Sequence, residues 1–265
     1  MYVHGYGARE AQRLQDQANA LTDLLHDGTA VGAGERLLEV GCGVGAQTVI
    51  LATRSPEARI VAVDRSADSL AEARRRLAAA GARNVTFCRT DLFFLPFPER
   101  SFDHLFVCFV LEHLTDPGTA LRLLVRVLRP GGTMTVIEGD HGSALFHPDS
   151  EAARAAISSL VRLQHEAGGN ALIGRQLYPL LVAAGLSDVS VTPRMAYVDG
   201  SRPELADAMT RRTFTAMVEG VREEAVARGF LDRRSFEEGI AALERAAEPD
   251  GVFCYTFFKG VARRH

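Results

Sequence analysis

From residue 36 onward the chain alternates short apolar runs with longer stretches whose apolar positions recur every three or four residues. The short runs predict strands and the longer stretches predict amphipathic helices. Strands are expected at Arg36–Val40, Ile60–Val63, Val85–Cys88, His104–Val110, Thr133–Ile137, Val189–Thr192 and Val252–Phe258. Helices are expected between them at Gln47–Thr53, Ser66–Ala80, Pro117–Leu128 and Leu172–Ala184. Gly81, the Arg129-Pro130-Gly131-Gly132 turn and Gly185 supply the stop signals of the last three. The fourth strand is apolar almost throughout, as a central parallel strand covered on both faces has to be. The alternation predicts an α/β fold: a seven-stranded, mostly parallel sheet with helices on both faces.

Three helix-like segments fall outside this alternation, at Glu10–His26, Glu151–His165 and Pro203–Ala247. They lie where the chain crosses or neighbours the carboxyl edge of the sheet. Inserted helices there build a pocket and a lid, so a helical cap is expected.

Composition narrows the class. The 265 residues are 47% apolar and carry a net charge of −3, which describes a soluble globular chain and not a disordered one. No apolar run reaches the ~18 residues of a membrane span. The opening Met1-Tyr2-Val3-His4-Gly5-Tyr6 lacks the basic-then-apolar order of a secretory leader. Cys42, Cys88, Cys108 and Cys254 are far apart and form no CxxC pair, so they read as reduced thiols and the chain as cytoplasmic. The slight negative balance argues against a nucleic-acid partner, and Arg74-Arg75-Arg76 reads as a solvated helix face. Lys259 is the only lysine among many arginines, which reads as the codon bias of a GC-rich genome.

The densest chemistry lies at Leu37-Leu38-Glu39-Val40-Gly41-Cys42-Gly43-Val44-Gly45. An apolar strand ends in an acid and runs into a glycine cluster and a helix, and the next strand ends in Asp64. Such an arrangement holds a nucleoside-bearing cofactor at the carboxyl ends of parallel strands. By itself the cluster does not separate a methyl donor from a nicotinamide dinucleotide, because Gly41-x-Gly43-x-x-Ala46 also fits the looser dinucleotide spacing.

Three further features bear on that choice. Thr90-Asp91-Leu92 follows the third strand, with Leu95-Pro96-Phe97 close behind. A carboxylate there suits an adenine amino group, with apolar neighbours for the ring. Ser101-Phe102-Asp103-His104 opens the fourth strand and Leu111-Glu112-His113-Leu114 closes it, while Leu128-Arg129-Pro130-Gly131-Gly132 turns into the fifth. Together these motifs closely resemble the class I S-adenosylmethionine-dependent methyltransferases, in particular the ubiquinone/menaquinone-type small-molecule subgroup. The resemblance is strong over Leu37–Glu138 and weak on the flanks.

The resemblance implies a Rossmann-like sheet and S-adenosyl-L-methionine as cofactor. It implies that Glu39 organises the turn and the cofactor's amino acid end. Gly41, Gly43 and Gly45 would let the backbone approach the methionine portion, with Gln47 opening the helix beside it. Asp64 would accept both ribose hydroxyls and Arg65 would flank the adenine. Asp91 would take the adenine amino group and Leu92 its ring face. Cys108 and Phe109 would border the methionine amino group and the sulfonium, with His113 nearby, although Glu112 and His113 equally suit a cap on the following turn. A single domain is expected over 1–265, with an N-terminal cap and flap in 1–30, a cofactor-binding core in 36–140 and lid insertions in 141–170 and 203–248.

The implied reaction is methyl transfer to a small-molecule acceptor, an aromatic or heteroaromatic metabolite in natural-product tailoring, with indole C3 among the acceptor positions. Quinone-precursor C-methylation and a non-catalytic cofactor-binding regulator are the alternatives. Alignment and exclusion of water supply most of such a reaction's acceleration, and a base is needed only where the acceptor holds its proton tightly. The catalytic candidates follow strand five in Glu138-Gly139-Asp140-His141-Gly142, with His141 as base or acceptor ligand and Glu138 and Asp140 beside it. Tyr2, His4 and Tyr6 suit a flap over the acceptor, Tyr6 facing the cationic methyl centre, and Arg9, Arg13 or Gln17 could meet the cofactor carboxylate. Arg175, Gln176, Tyr178 and Tyr197 are candidate acceptor contacts, while Phe253, Tyr255, Phe257 and Phe258 read as core packing. Metal ligation is not expected, since neither a magnesium-type oxygen cluster nor a zinc spacing is present. Nucleic-acid methylation is disfavoured, because Cys108-Phe109-Val110-Leu111 replaces the Asn/Asp-Pro-Pro-aromatic turn and no cysteine follows a proline. An apolar face on the cap helices would suit a homodimer.

Overall fold

A computed structural model describes residues 21–265 of the chain. The sheet contains β1 (Arg36–Val40), β2 (Arg59–Asp64), β3 (Val85–Arg89), β4 (Phe102–Cys108), β5 (Leu128–Gly139), β6 (Leu145–His147), β7 (Ser187–Asp199) and β8 (Val252–Arg263). Strands β3, β2, β1, β4 and β5 lie side by side and parallel, and β8 follows them antiparallel. β5 and the short β6 share one side of β8, and β7 runs antiparallel along the other. The expected seven strands are therefore eight. The extra one, Leu145–His147, is too short to show a period in the sequence and exists because it pairs with Val252–Cys254.

The helices α1 (Ala46–Arg54), α2 (Ala67–Ala79), α3 (Pro117–Val127) and α5 (Leu177–Ala183) lie in the intervals between core strands. Alternation along the strands divides the core in two. Leu37, Phe106 and Cys108 face one cluster, whereas Leu38, Leu105 and Val107 face the other. Strand four ends two residues earlier than expected, because Phe109 adopts a left-handed φ of 57° and leaves the ladder. The expected helix Leu172–Ala184 starts as a 3-10 turn, Ile173–Gln176, before α5. Gly174 is the reason for the close approach there, since a Cβ would lie 2.7 Å from the Gly139 carbonyl oxygen.

The two inserted segments form α4 (Glu151–Glu166) and then α6 (Pro203–Ala206), a π-helical segment Asp207–Thr215, α7 (Ala216–Glu219), α8 (Arg222–Ala227) and α9 (Arg233–Arg245). α9 crosses α4 at Gly239, where a Cβ would come within 2.5 Å of the Ala152 carbonyl. The expected N-terminal helix is described only from Leu21, and residues 21–26 are helical. Its earlier part, with Tyr2, His4, Tyr6, Arg9, Arg13 and Gln17, lies outside the described residues.

The end of that helix is fastened to the core. Leu21 and Leu25 are buried, Lys259 Nζ donates to the Leu25 and Asp27 carbonyls, and Arg54 donates to the His26 carbonyl. The His26 ring stacks on Phe106 at 5.4 Å and bonds Gln47 at 2.5 Å. Burial lowers its pKa from 6.5 to about 4. As pH falls through 6.5 the unfolded chain takes up a proton that folded His26 refuses until about 4, so its stabilising contribution is lost across that window. Glu39 and Glu138, both pushed up by burial, act in the opposite sense, so the readout is a difference between proteins. The stability advantage of the wild type over His26→Gln in urea should shrink by about 2–3 kcal/mol between pH 7 and pH 4.5. A difference that stays constant with pH would mean that His26 is not held neutral.

Candidate functional site

The register of the parallel ladders sets the site. Val40 pairs with Val63 and Val107, and Cys108 pairs with Ile137, so β1, β2, β4 and β5 end together at one edge. Chain direction away from β1 reverses between β1 and β4, the switch point at which open α/β sheets bind ligands.

The glycine turn leaves β1 at this edge. Gly41 and Cys42 donate to the Val63 carbonyl, and Gly45 begins α1 with a φ of 79°. A Cβ on Gly45 would lie 2.9 Å from Ala73, so this glycine serves helix packing. Gly43 differs: its φ is 51° and the space beside it is open. Glu39 is buried beneath the turn, and Oε2 has no hydrogen-bond partner. Burial pushes Glu39 up to about 8, with the Asp64 charge adding to the effect.

Asp64 closes β2 and builds the turn from the other side. Oδ2 accepts from the Gly43 amide at 2.9 Å and Oδ1 from the Ser66 amide at 2.8 Å. Each oxygen keeps a further lone pair for a ligand hydroxyl. Asp91 is exposed after β3 and caps the turn Leu92–Phe94 through the Phe93 amide at 2.9 Å. Leu92 is half-buried beside it, and Arg65 stands exposed after Asp64.

After β4 the chain turns sharply through Phe109, a non-glycine residue in the left-handed region. Such strain persists where surrounding contacts over-determine it and concentrates at functional sites. Glu138 holds the next turn: its Oε1 accepts from Val110 at 3.0 Å and Leu111 at 2.7 Å. Glu138 is fully buried, and burial together with the nearby Glu112 pushes it well above the usual carboxylate range.

Beyond this turn lies a buried polar cluster. His141 Nδ1 is 2.7 Å from the Tyr255 hydroxyl, and Nε2 is 3.7 Å from Glu112 Oε2. Gln164 of α4 donates to the same Glu112 oxygen at 3.1 Å, and His113 Nε2 lies 3.5 Å from Oε1. Phe214 of the π-helical segment packs against His141 and Tyr255, and Phe257 links Tyr255 to Phe109. Asp140 is committed to Arg175 by two hydrogen bonds, at 2.5 and 2.8 Å, and also caps Gly142.

The structure thus gathers Glu39, the three glycines, Asp64, Cys108, Phe109, Glu138 and His141 along one edge, and brings Arg175 to Asp140. Tyr178 and Tyr197 are 56% and 43% exposed and take no part in the cluster. Gln47 is engaged by His26. From the sequence Glu112 was balanced between a site role and a turn cap, Tyr255 read as core packing, and Gln164 was passed over. The Leu111-Glu112-His113-Leu114 motif was a signal for the first, whereas the others are joined only by folding.

S-adenosylmethionine fits these residues. Glu39 offers an unpartnered oxygen that would suit its ammonium, Asp64 offers lone pairs that would suit its ribose hydroxyls, and the space beside Gly43 would admit its chain. Among the described residues no His, Cys, Asp or Glu group is arranged to hold a metal, and no helix is long and apolar enough to cross a membrane.

Comparison with known proteins agrees with this geometry. A family model described as a methyltransferase domain matches residues 38–136. The 27-O-demethylrifamycin SV methyltransferase of Amycolatopsis mediterranei (strain S699) is 31% identical over 84% of this chain and 76% of its own length. An uncharacterised 37.1 kDa protein from a Streptomyces fradiae transposon is 31% identical over 86% of this chain, which spans 66% of that protein. The crystal structure of the [4+2]-cyclase SpnF superposes with a TM-score of 0.58 at 22% identity, covering 94% of this chain and 80% of that one. That likeness is one of fold.

Two alanine substitutions separate the turn's roles. Gly43→Ala should keep the fold within about 1 kcal/mol yet weaken S-adenosylhomocysteine binding about tenfold or more in calorimetry. Gly45→Ala should lower stability by about 2–3 kcal/mol in urea unfolding through its clash with Ala73. Unchanged binding by Gly43→Ala would remove the ligand from this turn.

Proposed function

The chain belongs to the class I S-adenosylmethionine-dependent methyltransferases, and on that premise we propose that it methylates a small natural-product acceptor bearing an aromatic or heteroaromatic ring. The observation that carries this reading is the pairing of the glycine turn with an aromatic and carboxyl cluster at the same sheet edge. Phe214 and Tyr255 pack against His141, Phe257 joins Tyr255 to Phe109, and Glu112 lies 3.7 Å from His141. Flat apolar walls with a few convergent polar groups suit a ring with one reactive substituent. The likeness to a 27-O-demethylrifamycin SV methyltransferase supports a natural-product acceptor.

The cofactor supplies an electrophilic methyl group on a sulfonium. This chain's residues bind and orient it: Glu39 and Gly41, Gly43 and Gly45 at its amino acid end, with Gln47 behind them; Asp64 at the ribose; Arg65, Asp91 and Leu92 around the adenine; Cys108, Phe109 and His113 beside the methionine portion. His141, Glu138 and Asp140 shape the acceptor side, and Arg175 fixes Asp140. Water exclusion by the lid and alignment of the acceptor account for most of the rate. Indole C3 is one acceptor position that this reading admits.

The experiment is transfer of a labelled methyl group from S-adenosylmethionine to a panel of phenols, indoles and quinols. Turnover of a phenol or indole supports the reading, and turnover restricted to quinols would assign a quinone precursor instead. Phe214→Leu should raise the acceptor KM about fivefold to tenfold, with S-adenosylhomocysteine affinity unchanged within about twofold. Equal losses in both would place Phe214 in the core alone.

A further inference from the structure

We infer that Glu112 is the group that takes the acceptor's proton, with His141, Tyr255 and Gln164 as positioning residues, and that the acceptor is a hydroxyl. This rests on the methyl-transfer reading above and deepens it.

The protons of the cluster set the roles of its members. Tyr255 is buried, and its hydroxyl lies 2.7 Å from His141 Nδ1. Burial, with the nearby Glu112 and Asp140 adding to it, pushes the phenol well above its ordinary range, so its proton stays on. A buried hydroxyl proton needs an acceptor, and Nδ1 is placed to be that acceptor. Nδ1 is then a lone pair already in use, and a neutral His141 carries its own proton on Nε2. That N–H faces Glu112 Oε2 at 3.7 Å. The chain of donors therefore runs one way, from Tyr255 to His141 to Glu112. In that arrangement His141 has no lone pair left for an acceptor, whereas Glu112 is where the donors converge.

The second line of the cluster points to the same residue. Gln164, from the lid helix α4, donates to Glu112 Oε2 at 3.1 Å and to its carbonyl at 3.1 Å. His113 Nε2 stands 3.5 Å from Oε1. Glu138 is the neighbouring carboxyl group, fully buried and held well above the carboxylate range. Its Oε1 is occupied by two backbone amides, and its buried Oε2 has no hydrogen-bond partner. Two adjacent carboxyl groups out of water do not both ionise. Glu138, with no exposed surface, is the one held above the carboxylate range, and the negative charge falls to Glu112, whose side chain keeps 10% exposure and accepts from Gln164. The buried Cys108 thiol is also pushed up, by burial and then by Glu138, Glu39 and Glu112, and stays neutral.

A carboxylate is a weak base, which suits the most acidic of the ring acceptors, a phenol-type hydroxyl. An O–H gives its proton to the Glu112 carboxylate. The oxygen forms a bond to the methyl carbon as the carbon–sulfur bond breaks with its electron pair left on sulfur. Neutral S-adenosylhomocysteine and a methyl ether result, and no oxidant or reductant is involved.

Two measurements test the assignment. In the wild-type protein labelled with 15N-histidine, His141 should appear as the Nε2–H tautomer with a hydrogen-bonded Nδ1 from pH 6 to 9, and Tyr255→Phe should lose the Nδ1 signature. An imidazolium or an Nδ1–H tautomer would overturn the donor chain, with or without turnover. In assays with hydroquinone, Glu112→Gln should lower kcat about 100-fold or more while S-adenosylhomocysteine affinity stays within about twofold. With 4-nitrophenol, already ionised at pH 8, the loss should be about tenfold or less. Equal losses on both phenols, retention of kcat, or turnover of indole with no hydroxyl probe accepted would each contradict the role of Glu112. Failure of the wild type to bind S-adenosylhomocysteine would instead sink the methyl-transfer reading.

Discussion

Parallel strands in register end together, and at that edge their backbone amides run out of ladder partners. The structure answers this constraint with carboxylates. Asp64 takes the amides of Gly43 and Ser66, Asp91 that of Phe93, Glu138 those of Val110 and Leu111, and Asp140 that of Gly142. Buried amides must be paired, and acids at the ends of strands do this while holding tight turns open to a ligand. The site is a consequence of how the sheet terminates.

The same solution concentrates negative groups away from water. Charge in that setting is expensive, so each acid is either paired or kept neutral. Asp140 has Arg175. Glu39 and Glu138 are pushed upward by burial. An unpartnered oxygen on Glu39 beneath the glycine turn would suit a cationic group, which links the energetics of the fold to cofactor choice. A nicotinamide dinucleotide brings a pyrophosphate to such a turn and gains nothing from an acid there.

Much of this was legible in the sequence because the constraint is local. Arg36–Val40 was read to the residue, and Glu39, Asp64 and Asp91 stood out as acids at or just beyond the ends of apolar runs. Residues that act across the fold were not legible. Tyr255 sits in an alternating aromatic strand and looks like packing until Asp140 and His141 are folded over it. Gln164 is one polar position on an amphipathic helix, and the sequence does not say that it faces Glu112, 52 residues away. β7 was expected over four residues and runs from Ser187 to Asp199, because pairing with β8 organises a segment whose outer edge is largely exposed.

The central claim is that this edge is shaped for a sulfonium-bearing nucleoside and not for a dinucleotide. Parallel calorimetric titrations of the purified chain with S-adenosylhomocysteine and with NAD test it most directly. The account predicts a dissociation constant in the micromolar range for the first, roughly −8 kcal/mol, and no measurable heat with the second. Binding of NAD in preference to S-adenosylhomocysteine would contradict it.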